Sequence, residues 1–180
     1  MSKNGLILLK PTSIAYTGTS ASISANGSVT FSACTVLSLN GVFSANYDNY
    51  RIVIRHGAIS VGGGDITMRL RASGTDSTAT TDYNHQKLEA AASTVSGERV
   101  TTQGSWTISG INTSSVGGMI IDIYAPYLST PTAFRSVTVC RNPDIQDNAG
   151  THELSTAYDG FSINLYLGTS GRVAVYGMRK

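Results

Sequence analysis

The chain has 180 residues, enough for one well-cored domain and a short attachment segment. Charged residues make up 13%, about half the usual share, while about a quarter of the chain is Ser or Thr, a composition that suits strands and turns rather than long helices. A net charge of +2 with scattered Lys and Arg excludes the basic patch of a nucleic-acid binder, and no apolar run approaches the roughly 20 residues that span a membrane.

The opening, MSKNGLILLKPTS, lacks the longer apolar stretch and small-residue cleavage site of a secretory signal, so synthesis and use without export is expected. Leu6, Ile7, Leu8 and Leu9 form an apolar run before Pro11, which cannot donate a ladder hydrogen bond and suits an edge strand or a tether. Left in water, such a run is a sticky edge. It is expected to be an attachment site, covered by a sister subunit or by a receiving surface; the alternative is a first strand in the domain's own sheet. Residues 1 to about 20 are read as an extended arm that needs another surface for order. A hairpin follows, with Asn26-Gly27 as a type I′ turn signal and Ile23, Ala25, Val29, Phe31 and Ala33 on the apolar side. The domain reading is therefore 1–40 for arm and hairpin, serving attachment and oligomerisation, and 41–180 for a β-sandwich knob.

From Gly41 onward the period is two. Val42 and Phe43 bury one side of an incoming segment, Asn46 to Asn49 turn the chain, and Tyr50, Ile52 and Ile54 point inward against Arg51, Val53 and Arg55. Ile66, Met68 and Leu70 share a face. The best helix candidate, His85 to Ser93, is only two turns long. Ile121 and Ile123 alternate with Ile120, Asp122 and Tyr124. Phe161, Ile163, Leu165 and Leu167 alternate with Ser162, Asn164 and Tyr166, and Val173 and Val175 follow. Thr169-Ser170-Gly171 between the last two runs predicts a terminal hairpin. About eight such runs between Val42 and Lys180, separated by Gly, Asn, Asp and Pro clusters without intervening helices, predict an all-β fold. The expectation is an antiparallel β-sandwich of jelly-roll type with a short extended N-terminal arm.

Candidate chemistry is sparse. His56, His85 and His152 are far apart, no Gly-x-Ser-x-Gly elbow occurs, and the 11 acids sit mostly in predicted turns, so no enzymatic activity and no cofactor is expected. Asn142 to Glu153 offers Asp144 and Asp147 as oxygen ligands without the alternate spacing of a calcium loop, and reads as a solvated loop. Cys34 and Cys140 resemble small buried hydrophobes, with a disulfide between them as the other reading. Tyr47, Tyr50, Tyr83, Tyr127 and Tyr158 flank turns: each either contacts a glycan or protein through its apolar face and polar tip, or caps the end of the core.

The segments LNGVFSANYDNYRIVIR, MRLRASGTD with the later DYN, IYAPYLSTPTAFRSV and SGRVAVYGMRK, together with the opening LILLKPTSIAYTGTSASISANGSVTFS, resemble a group of bacteriophage virion proteins. These occur notably in phages of marine cyanobacteria, and related segments end some tail-fibre proteins. The most specific parts are Tyr47-Asp48-Asn49-Tyr50 and Tyr176 to Lys180. The resemblance implies a virion surface protein, assembled in the host cytosol as a homotrimer with a jelly-roll body. Within it, the leading expectation is a capsid decoration or cement protein docked on the head through Leu6 to Leu9. The alternative is a tail-fibre or fibre-tip protein that contacts a host-surface glycan through Gly74 to Tyr83 and Asn142 to His152, with Tyr83, Asp144, Asp147, His152 and Tyr158 as contact residues. Its partners would then be other virion proteins or a glycan, with no nucleic acid and no membrane.

Overall fold

The computed structural model describes residues 5–57, 63–111, 116–139 and 144–179. Cys140 and Asn142-Pro143 lie outside the described residues. The strands in chain order are β1 Leu6–Leu9, β2 Ser13–Ile23, β3 Val29–Asn40, β4 Asn49–His56, β5 Gly64–Ala72, β6 Thr75–Asp76, β7 Tyr83–Ala91, β8 Thr94–Gln103, β9 Trp106–Ile111, β10 Gly117–Tyr124, β11 Thr132–Val139, β12 Ile145–His152 and β13 Gly160–Met178. Every pairing is antiparallel, and no helix occurs among the described residues. The all-β sandwich of jelly-roll type expected from the period-two runs is what the chain forms.

Strand β13 belongs to both layers. The first half of β13 pairs with β5 through Phe161↔Leu70 and with β3 through Phe161↔Leu39. Its second half pairs with β4 through Val175↔Ile52, and on the other edge with β3 through Val173↔Val29 and with β1 through Leu9↔Val175. The small sheet is thus β2-β3-β13-β5-β9, and the large one continues from β13 through β4-β10-β11-β12-β7-β8. Between the halves, Leu167 (φ 49°) and Gly168 (φ 69°) take left-handed backbone and the register slips twice. The hairpin predicted at Thr169–Gly171 is therefore a bulged crossing within one 19-residue strand. A bulge re-aims a strand without reversing it, and this one leaves Leu167 exposed while Leu165 and Val173 stay buried.

Other expectations are corrected similarly. Leu6–Leu9 is strand β1 on the free edge of β13, half-buried except for exposed Leu6, so the first-strand alternative holds for this run rather than a tether. A strong pairing with β12 and β8 outweighs the helix formers of His85 to Ser93, which lie in β7 and its turn. The β2–β3 hairpin exists, but only Gly27 (φ 98°) in its loop has positive φ, so the turn is not type I′, which needs two such residues. Ala33 (φ 47°) sits in a bulge and is exposed, and Cys34 takes the buried place beside it as a free thiol.

The core follows the predicted alternation closely: Val42, Phe43, Tyr50, Ile52, Ile54, Ile66, Met68, Leu70, Ile121, Ile123, Phe161, Ile163, Leu165, Val173 and Val175 are all buried. The Tyr47-Tyr50 element explains itself here. The Tyr50 hydroxyl accepts from the Ser44 amide at 2.7 Å and donates to the Ser44 carbonyl at 2.8 Å, clamping the turn, while its ring packs on Phe43. The Tyr47 ring lies over Gly177, where a Cβ would come within 2.6 Å of it. The two most specific stretches of the sequence resemblance are therefore in contact, and Gly177 is the residue that lets them meet.

Candidate binding surfaces

The residues proposed as a receptor-binding set are mostly interior. Tyr83, His152 and Tyr158 are buried, not on loop surfaces. With Trp106 and Phe134 they wedge the sandwich open toward β7: Tyr83 meets Trp106 edge-on at 5.2 Å and His152 at 4.4 Å, and Trp106 stacks on Phe134 at 4.4 Å. Their polar ends are satisfied inside. The Tyr83 hydroxyl donates to Ser77 O and accepts from Leu70 N, both at 3.0 Å, and the Trp106 indole donates to Thr151 O at 3.0 Å. Burial pushes the Tyr83 phenol up and the His152 imidazole down from their ordinary values. Asp147 is in mid-strand β12, where it forms a two-pronged pair with Arg135 at 3.0 and 2.5 Å. Asp144 precedes that strand. The predicted loop from 142 to 152 is thus mostly β12, and of the two readings for Tyr83 and Tyr158 the structure has the core one.

What the sequence reading missed is the polarity of β11 and β12. On β4, β10 and the second half of β13 the inward positions are aliphatic or aromatic: Tyr50, Ile52, Ile54, Met119, Ile121, Ile123, Val173 and Val175 are all buried. On β11 the order is reversed: Thr132, Ser136 and Thr138 are fully buried, while Val137 and Val139 are 39% and 54% exposed. On β12, Asn148 is buried and Ile145 is 49% exposed. The inward hydroxyls have a purpose. Among the described residues strand β9 pairs only with β5, its other edge lies against β11 and β12, and Ser136 Oγ (2.8 Å) and Thr138 Oγ1 (3.2 Å) donate to its Ile108 carbonyl. Gln146 Oε1 accepts from the Gly110 amide at 2.7 Å. Side chains thereby complete backbone groups that a buried edge leaves open.

The outward consequence is an aliphatic surface. Reading across the large sheet by register, one row is Ala174, Val53, Ile120, Val137, Asp147, Leu88. The next begins with Arg172 and Arg55, passes Gly118, and continues through Val139, Ile145, Ala90 and Val95. Val53, Ile120, Val137, Val139, Ile145, Leu88 and Val95 are all exposed. With strands about 4.8 Å apart, the aliphatic stretch from β4 to β8 is about 24 Å wide. The charges in and beside it are neutralised: Asp147, which lies within the first row, pairs with Arg135, and Arg51 beside that row pairs with Asp122 at 2.7 and 2.8 Å. An exposed surface this rich in aliphatic side chains, broken only by Asp147 and Gly118, is the mark of an interaction site.

A second feature is a polar cleft of about 310 Å³ where the β7–β8 ribbon overhangs the small sheet. Inward side chains His85, Lys87, Glu98 and Val100 meet Asp65, Thr67 and Thr107 from the solvent side of β5 and β9, with Gln103 and Ser105 at the rim. Lys87 bridges Glu98 at 3.0 Å and Glu89 at 3.4 Å; burial opposes its charge, but the two carboxylates together leave it above its ordinary value. His85 is 5% exposed, its Nδ1 has no partner among the described residues, and burial holds it below its ordinary value.

No protein-family model matches the chain, and no curated protein does. Among solved structures it is similar to the carbohydrate recognition domain of Emp47p, with 9% identity over 98% of this chain and 99% of that one at a TM-score of 0.38. It is also similar to the C-terminal CBM6 of LamC, a laminarinase from Zobellia galactanivorans, with 13% identity over 95% and 98% at 0.33. A third is the SPRY domain of human HERC1, with 6% identity over 92% and 99% at 0.36. At such distances no ligand is carried over from any of them.

Proposed function

We propose that the chain is a non-enzymatic structural protein of a bacteriophage virion surface, held in place through the outer face of its large sheet. The observation that carries the reading is the inverted polarity of β11 and β12, where valine and isoleucine face water and serine, threonine and asparagine face the core. Burying exposed aliphatic area is worth about 25 cal/mol per Å², so this face gains on being covered. The sequence resemblance to virion proteins supplies the kind of neighbour, either a capsid or tail protein or a sister subunit of a homotrimer. Leu6–Leu9, integrated as β1, is a secondary edge rather than the attachment point. The test is the double variant Val137→Lys, Ile145→Lys, whose side chains leave the core untouched. It should fold and melt like the parent yet fail to enter virions when it replaces the parent chain in an infection; incorporation at parental level would remove this face from the reading. Copy number then separates a head lattice from a tail fibre.

A second reading, the tail-fibre tip that binds a host glycan, is favoured by the β7–β8 cleft and not by the buried tyrosines. Its mixture of donors and acceptors around an unpartnered imidazole suits sugar hydroxyls, which both donate and accept. Titration of the isotopically labelled protein with neutral monosaccharides should shift amides of β5, β7, β8 and β9 if this reading holds; an unchanged spectrum rejects it.

A further inference from the structure

On the outer face two arginines are paired with carboxylates, while two others face each other. Arg51 lies directly across from Asp122 and Arg135 beside Asp147, each in a two-pronged contact. Arg55 and Arg172, by contrast, are direct cross-strand partners of each other on β4 and β13. Like charges placed directly opposite destabilise a sheet. Among the described residues no ion pair joins either of them to a carboxylate.

The surroundings are those of a receiving site. Across from Arg55 on β10 stands Gly118, which leaves the flank open, and across from Arg172 on β3 stands Thr30. Both arginines line a cleft of about 440 Å³ with Thr30, Phe31, Ser32, His56, Gly57, Ser170 and Gly171. Arg172 Nη2 is anchored by a 2.6 Å bond to Ser28 Oγ, which is buried, so one guanidinium is held while Arg55 forms no hydrogen bond with the described protein. His56, 1% exposed, forms the cleft wall, with Nδ1 3.2 Å from Gly57 O and an unpartnered Nε2.

We infer that this cleft binds an oxyanion, a carboxylate, sulfate or phosphate group, between Arg55 and Arg172. Guanidinium pairs match such groups with forked, charge-assisted hydrogen bonds. The hydroxyls of Thr30 and Ser32 add neutral donors, and the bound charge removes the repulsion that the sheet otherwise carries. The site is independent of what covers the aliphatic rows, so either idea can fail without the other.

Thermal melting at matched ionic strength tests it, with sodium sulfate, phosphate, acetate and glucuronate against sodium chloride and glucose. A ligand that binds only the folded state raises the melting temperature in a saturable way. The oxyanions should do so, and chloride and glucose should not. Arg55→Met should weaken the response about tenfold or more while leaving the anion-free protein at least as stable as the parent, because a like-charge neighbour is gone. Arg55→Lys should keep a weaker response. Glucuronate saturating well below acetate assigns the group to an acidic sugar, and equal saturation assigns a bare anion. An Arg55→Met protein that responds like the parent marks an adventitious ion only, and it overturns the proposal, as does the absence of any saturable response.

Discussion

The two ends of the large sheet solve opposite problems. At β13 and β4 the inward positions are filled by Tyr50, Ile52, Ile54, Val173 and Val175 against the small sheet, and the outward ones are Arg, Ala and Tyr with Val53 as the one aliphatic exception. At β11 and β12 the small sheet offers only the edge of β9, so hydroxyl and amide side chains point inward to complete its backbone, and the aliphatic residues point out. The first end is stabilised by its own chain. The second leaves apolar surface whose burial needs another molecule, and the difference shows that period-two alternation identifies a strand without saying which side is the inside.

Substitutions can break that contrast. The largest effect is expected at the aromatic wedge that joins the two ends: Trp106→Ala removes the stack on Phe134 and the bond to Thr151 and should cost about 3–5 kcal/mol in denaturant unfolding. Leu165→Ala, in the half of β13 covered on both sides, should cost about 2–5 kcal/mol, whereas its exposed neighbour Asn164→Ala should cost little; equal tolerance would mean that the strand faces the other way. The inverted strand gives the sharpest pair. Ser136→Ala leaves Asn148 Nδ2 without its 3.3 Å acceptor and removes one donor to Ile108, and should cost about 1–2 kcal/mol. Val137→Ser, one residue on, should stay within about 0.5 kcal/mol. If the valine costs more than the serine, the polarity assignment is wrong.

A weaker effect, spread over both ends, comes from acid. Burial lowers His56, His85 and His152 from an ordinary value of 6.5. Below that pH the unfolded chain takes up protons that the folded chain refuses, so stability is full above about pH 6.5 and declines as pH falls, levelling off once the folded imidazoles also protonate. Melting temperatures from pH 8 to pH 5 should follow this slope, and a flat profile would mean that the imidazoles are solvated.

Much of the fold was legible because strands such as β4, β5 and β10 carry large aliphatics on alternate positions that only one arrangement can bury. What escaped had physical reasons. Tyr83, His152 and Tyr158 sit next to turns, but adjacency to a turn does not decide which way a ring points, and here the wedge between the sheets has room for all of them. Thr169-Ser170-Gly171 carries hairpin chemistry, yet both flanking runs have partners on β3, which favours a straight passage with a bulge. The Arg55–Arg172 contact joins β4 to β13 and is invisible until register is known. No spacing in the sequence could indicate it.

The sharing of β13 between layers also governs when the protein can fold. The small sheet needs Gly160 to Asn164 between β3 and β5, and the large sheet needs Gly171 to Met178 beside β4. On a ribosome, everything up to about residue 159 emerges as hairpins and ribbons that lack the strand at their common centre. Neither layer can close until β13 arrives, and then both close together. Such a topology pairs residues far apart in sequence and folds slowly, so the aliphatic strands that precede β13 stay incompletely buried until residues 160–178 have emerged.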